Sequence, residues 1–236
     1  MKFIKTNTIL NYIAFVITAK WFQMYDITWK ELILNFRDLA KKTSKIKPNL
    51  IYRSSHLAPH CKESYFKDFR KEYPFKTILD LRWPTETNRF PYSQDFLKHI
   101  LYENFTLIDT PLNKKDWSKF IPYNEKGDFY EVIPKYFKSQ IKGIFETLIF
   151  AETPIIIHCW SGKDRTGIIV ALILMLLDTP EEEIISDYLE TGLTTTKEKI
   201  QPLIDFIKRS GGINSYLLST GLTSSQLNQV ILKYKK

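Results

Sequence analysis

The stretch from Ile155 to Leu177 does most to limit what this chain can fold into. Ile155-Ile156-Ile157-His158 is a short, almost continuous apolar run, and Thr166 to Leu177 is apolar nearly all round. A strand of the first kind is covered on both faces, as in parallel sheets. A helix of the second kind, at twelve residues, is far short of a membrane span and must be buried in protein. Covering both requires further layers, so the chain is read as an α/β domain with a central, mostly parallel sheet flanked by helices.

Other segments agree with that reading. Leu50–Tyr52, Thr77–Leu81 and either Ile100–Tyr102 or Leu107–Ile108 are short runs rich in β-branched residues and read as strands. Phe129 to Phe150 carries Phe129, Ile133, Tyr136, Ile144 and Leu148 on one stripe and reads as one helix, with Asp128 as its N-cap. Pro180 followed by Glu181, Glu182 and Glu183 reads as a first helical turn, where carboxylates favour the positive helix end. Helices are also predicted over Lys197–Arg209, stopped by Gly211-Gly212, and over Ser224–Lys233, giving a helical C-terminal part.

At 236 residues with 44% hydrophobic and 25% charged side chains, the composition is that of a globular domain and excludes disorder and low complexity. Cys61 and Cys159 are the sole cysteines, so no disulfide framework holds the chain together. The net charge of +8 is carried by residues 1–76, which hold 15 basic and 6 acidic side chains. Such a surplus suits an anionic substrate or membrane surface, and nothing resembles a dedicated nucleic-acid motif. The apolar stretch Ile9–Ala19 is interrupted by Asn11 and Tyr12 and is too short to span a bilayer. It faintly resembles a signal peptide, but residues 1–34 are read as a helical extension packed on a domain covering 35–236. The chain is expected in the cytoplasm, or exported by a route its sequence does not reveal. The sequon Asn104-Phe105-Thr106 is read as a chance occurrence.

The chemistry is concentrated in His158-Cys159-Trp160-Ser161-Gly162-Lys163-Asp164-Arg165-Thr166-Gly167. A strand, a short loop and the start of a helix make a cradle for phosphate, because loop N–H groups converge there and the helix end adds positive charge. Cysteine at the head of the loop sees the same field, which favours the thiolate, the form that acts as nucleophile. Arg165 can fold back over the loop and grip two phosphate oxygens with its planar fork, which lysine cannot reproduce. Gly162 lets the backbone turn close to the anion, and Thr166 offers a hydroxyl to the sulfur.

His-Cys-x5-Arg-Thr-Gly resembles the phosphate loop of cysteine-dependent tyrosine and dual-specificity phosphatases. With Gly162-Lys163-Asp164-Arg165 it is similar to the bacterial and fungal branch of atypical tyrosine and phosphoinositide phosphatases, tyrosine phosphatase family 3. Asn35-Phe36-Arg37-Asp38-Leu39, Ile51 through Leu57, Ile78 through Arg82 with Glu86, and the tail from Gly212 to Leu222 fit that branch in order. In one departure, Leu39-Ala40-Lys41 stands where family members often have a Gly pair. The resemblance implies a tyrosine-phosphatase-like fold and a two-step reaction without cofactor or metal, through a phosphocysteine on Cys159. It implies a general acid inside the loop, Asp164, with Asp109 and Asp116 as the alternatives on other loops. It also links Lys163 to acceptance of phosphoinositides beside phosphorylated proteins.

The remaining site residues carry two readings each. Trp160 is a pocket wall or a filler under a neighbouring loop; Ser161 belongs to the phosphate-binding loop. His158 is a plain strand-end residue or an organiser of the loop backbone. Asp80 and Arg82 support the phosphate loop or pair with each other at a turn. His56, His60 and Cys61 lack a fourth ligand and are not expected to hold zinc. The alternative to an enzyme is a catalytically silent module that binds phosphate without hydrolysing it.

Overall fold

The computed structural model describes residues 29–57, 63–107, 129–192 and 194–236. Its centre is a five-stranded sheet of β1 (Arg37–Asp38), β2 (Ile51–Ser54), β3 (Thr77–Asp80), β4 (Leu101–Asn104) and β5 (Ile155–His158), in the order β1-β2-β5-β3-β4. All neighbours run parallel except β1, which is antiparallel to β2. The isoleucine run is thus the middle strand.

Alternation along β5 divides the interior in two. Ile155 and Ile157 join the larger core, while Ile156 points to the opposite face and meets Tyr52, Phe69, Ile78 and Phe96. The smaller face is covered by α2 (Glu63–Glu72) and α4 (Gln94–Leu97), with α1 (Trp29–Leu32) and α3 (Pro84–Arg89) nearby in the chain. The larger is covered by α5 (Phe129–Tyr136), α6 (Lys138–Phe150), α7 (Asp164–Leu176), α8 (Glu181–Glu190), α9 (Lys197–Arg209), α10 (Gly212–Leu218) and α11 (Ser224–Tyr234). This is the expected helix–sheet–helix layering.

Several boundaries differ from the sequence reading. The helix expected over 129–150 is two helices, with Phe137 at φ −109°, ψ 36° between them. The Tyr216 hydroxyl donates to the Pro134 carbonyl at 2.8 Å, occupying an acceptor that an unbroken helix would offer to its next turn. Strand β2 runs on through Arg53 and Ser54, since Arg53 is fully buried and paired. The third strand is β4, not Leu107–Ile108; Leu107 is buried beyond it and Ile108 lies outside the described residues. Gly211 and Gly212, both at positive φ, end α9 and also start α10, which the sequence reading missed. At the departure from the family pattern, Leu39–Lys41 forms a 3-10 turn whose Ala40 N–H is capped by Asp38 at 3.0 Å.

Residues 1–28, Cys61, Asp109, Asp116 and Asp128 lie outside the described residues, and with them the signal-peptide reading and most of the N-terminal extension. Among the described residues no helix is long and apolar enough to cross a membrane. The Asn104 amide donates to the Asp80 and Arg82 carbonyls at 2.9 and 3.1 Å, so the sequon's asparagine is engaged in the fold.

Candidate active site

The parallel register brings three strand ends side by side: His158 is level with Ser54 on β2 and with Asp80 on β3. Ligands of open parallel sheets bind beyond such carboxyl ends. Here the chain leaves β5 at His158, passes through the five-residue loop Cys159–Lys163 and enters α7 at Asp164.

The carbonyl edge of this loop is tied to the scaffold. The Cys159 carbonyl lies 3.1 Å from His158 Nδ1, and Trp160 accepts from His56 N at 3.0 Å. Ser161 accepts from Asn35 Nδ2, and Gly162 from Arg53, each at 2.8 Å. Lys163 accepts from Gly167 N, also at 2.8 Å. With five successive carbonyls engaged, the N–H edge of the loop is what remains to meet an anion, and the 13-residue α7 adds the positive end of its dipole. Gly162 sits at φ +70°, and a Cβ there would lie 2.4 Å from the Ser54 carbonyl oxygen, so no other residue fits.

Cys159, at the head of the loop, is a buried free thiol. Arg165 reaches back from the first turn of α7, and both its terminal nitrogens donate to Glu86 of α3, at 2.6 and 2.9 Å. It also donates to the Leu81 carbonyl at 3.1 Å and lies over the Trp83 ring at 5.3 Å. Burial works against this charge, but the Glu86 hydrogen bonds and the field of Cys159 override it, and the guanidinium pKa is raised. Glu86 is itself held, since Trp83 N donates to it at 2.7 Å.

Asp164 stands at the start of α7 with its side chain one-fifth exposed. Its Oδ1 accepts from the Tyr130 hydroxyl of α5 at 2.5 Å and lies 3.6 Å from Lys163 Nζ. Lys163 also reaches Thr194 Oγ1 at 3.4 Å. Trp160 lies between His56 and Phe90, with ring centroids 4.5 and 5.2 Å away, and so lines the rim of the loop. Thr166 is buried, and among the described residues its hydroxyl makes no hydrogen bond, the sulfur included.

His158 has a partner on each ring nitrogen. Leu57 N donates to the Tyr92 hydroxyl at 3.1 Å, and that hydroxyl lies 3.0 Å from His158 Nε2. The chain of bonds makes Nε2 the acceptor and leaves the Nδ1 proton for the Cys159 carbonyl. Burial pushes the ring's pKa down, with Arg82 assisting and Asp80 opposing, so the imidazole is neutral.

Asp80 and Arg82 pair with each other. Arg82 donates to both Asp80 oxygens at 2.7 to 3.0 Å, and the pair lies fully buried, with Asp80 Oδ1 3.8 Å from His158 Nδ1. Despite the cost of burial, His158 and Arg82 hold the Asp80 carboxyl below its usual range.

Sequence reasoning left Asn35, Arg53 and Glu86 as motif members without roles, and overlooked Tyr92, Tyr130, Asp187 and Tyr188. Arg53 and Arg37 both pair with Asp187 of α8, and Arg37 Nε donates to it at 2.8 Å. A buried strand position occupied by arginine was the available signal for the first; the tyrosines carry none. His60 and Cys61 lie outside the described residues, and His56 is engaged with the Trp160 ring.

A parallel α/β sheet that ends in a cysteine-headed, arginine-closed loop is the architecture of the tyrosine-phosphatase class. The chain belongs to the Tyrosine phosphatase family, whose model matches residues 29–210. It is 44% identical over 46 residues, 20% of this chain, to the Triple specificity protein phosphatase PtpB of Mycobacterium tuberculosis. It is 29% identical over 116 residues, 48% of this chain, to a Tyrosine-protein phosphatase of Nostoc commune. The matched stretches span 17% and 39% of those two relatives. Among solved structures, the core catalytic domain of the PP-IP phosphatase SIW14 from S. cerevisiae aligns with a TM-score of 0.45 at 22% identity, covering 78% of this chain and 94% of that one.

Proposed function

We propose that the chain is a cysteine-dependent phosphomonoesterase acting on phosphotyrosine, with phosphoserine and phosphothreonine in proteins and phosphoinositides as further substrates. One observation carries the reading. The five loop carbonyls are anchored outward around a buried cysteine, and an arginine held in place by a carboxylate closes the loop. Family membership and the triple specificity in the name of the mycobacterial relative support the same breadth of substrate.

Cys159 Sγ attacks phosphorus, the S–P bond forms and the bond to the leaving oxygen breaks. Asp164 gives its proton to that oxygen, which lowers the cost of expelling a phenolate or alkoxide. Water then attacks phosphorus, the S–P bond breaks and Asp164 takes a proton back. Arg165 and the loop N–H groups hold the equatorial oxygens, whose charge is greatest in the transition state. Lys163 adds positive charge at the rim, and the basic surplus of residues 1–76 suits an anionic membrane surface as a partner.

The test is phosphate release from a phosphotyrosine peptide, a phosphothreonine peptide and a phosphoinositide panel, with Cys159→Ser and added chelator as controls. Release that Cys159→Ser abolishes and chelator leaves unchanged is expected. Release from phosphoinositides at least equal to that from peptides supports Lys163 as a substrate selector. No release from any substrate points to the silent phosphate-binding module.

A further inference from the structure

We propose that Tyr130, itself held by Tyr188, is a positioning residue that decides which oxygen of Asp164 carries the catalytic proton. The inference rests on the reading of Asp164 as general acid. The Tyr130 hydroxyl is 2.5 Å from Asp164 Oδ1 and in hydrogen-bond contact with the Tyr188 hydroxyl. Both tyrosines are buried, and their rings meet edge to face at 5.9 Å between centroids.

The direction of the bonds follows from charge. Burial, reinforced by the neighbouring carboxylate, pushes both phenols well above their ordinary pKa, so each keeps its proton throughout the working range of a phosphatase. Tyr130 then donates to Asp164, and its oxygen accepts from Tyr188. The relay runs one way, from α8 through α5 to the first residue of α7.

A carboxyl group whose Oδ1 already accepts a hydrogen bond, with Lys163 Nζ 3.6 Å away, keeps its negative density on that atom. When Asp164 is neutral, its proton therefore sits on Oδ2. Rotation about the last side-chain bond is stopped as well, so the acid is aimed before substrate arrives. The groups facing this carboxyl are Lys163 on its own loop, Tyr130 on α5 and Tyr188 on α8, with Arg53 of β2 beyond Tyr188.

Tyr130→Phe removes the donor and keeps the ring. Without that bond the two oxygens of Asp164 compete for the proton and the carboxyl is no longer aimed. The readout is turnover of a phosphotyrosine peptide. The maximal rate should fall by about 10- to 100-fold, within the usual worth of a positioned acid. An aryl phosphate with a very good leaving group, which needs no acid, should be hydrolysed at nearly the wild-type rate. Tyr188→Phe, which leaves Tyr130 in place, should show the same pattern at smaller size and keeps the test open if Tyr130→Phe is poorly folded.

Asp164→Asn run in parallel separates the two readings. If it slows the peptide selectively while Tyr130→Phe slows both substrates alike, the positioning role is overturned and the acid stands. If Asp164→Asn itself shows no dependence on leaving group, both are overturned.

Discussion

Asp187 and Tyr188, consecutive on α8, hold the turn from Cys159 to Asp164 from two sides. Asp187 accepts from Arg53, whose other prong donates to the Gly162 carbonyl at 2.8 Å; Tyr188 meets Tyr130, which donates to Asp164. A helix remote from the loop in sequence thus braces both its turn and its exit.

Among the described residues, Asp187 is the carboxylate that pairs with two buried arginines, Arg37 and Arg53, whose side chains are 5% and 0% exposed. Asp187→Asn leaves both charges uncompensated in the interior. The expected loss is about 3–5 kcal/mol of stability. Urea unfolding measures it directly, and a loss below about 1 kcal/mol, the range of a surface pair, would show that Asp187 is not the keystone of this network.

Gly162→Ala forces a Cβ against the Ser54 carbonyl and places a non-glycine residue at φ +70°. The loop, not the sheet, must move. A displacement of about 1 Å at the reacting centre costs on the order of 10²-fold in rate. Kinetics beside circular dichroism should show that loss with secondary structure intact; wild-type turnover would mean the loop tolerates another backbone path.

Glu86→Gln replaces the carboxylate that holds both prongs of Arg165 and leaves the Leu81 carbonyl as its remaining anchor. The arginine keeps its charge but loses its aim. A fall in kcat/KM of about 10- to 100-fold is expected, with weaker binding of inorganic phosphate as the independent readout. Unchanged phosphate affinity would assign the orientation of Arg165 to Leu81 and Trp83 instead.

His158 makes stability depend on acidity. Burial holds its folded-state pKa below the ordinary value of 6.5, so above that value both states are neutral and the contribution is complete. As pH falls through 6.5 the unfolded chain takes up a proton that the folded ring refuses, and stability declines until the folded pKa is reached. The urea midpoint should drop between about pH 7.5 and pH 5.5, and drop less in His158→Gln, which has no proton to take up. Equal slopes in the two proteins would place the acid sensitivity in another group.

What could be read from the chain alone is what is contiguous in it. The isoleucine run, the loop from Cys159 to Arg165 and the buried helix after it are one continuous stretch, and local patterning is enough to read a strand, a cradle and a helix there. α9 was legible for the same reason, with its boundaries at Lys197 and Arg209. The split at Phe137 was not, because it involves a hydroxyl from Tyr216, 82 positions from Pro134.

The surroundings of the loop come from the packing of distant segments. Asn35 reaches Ser161 across 126 positions, Arg53 reaches Gly162 across 109, Glu86 reaches Arg165 across 79 and Tyr130 reaches Asp164 across 34. A reactive loop declares itself through residue types at fixed spacing, since its atoms are positioned by the backbone that joins them. Hydrogen bonds that brace it from other strands and helices depend on sheet order and helix placement, which no local pattern in the chain records.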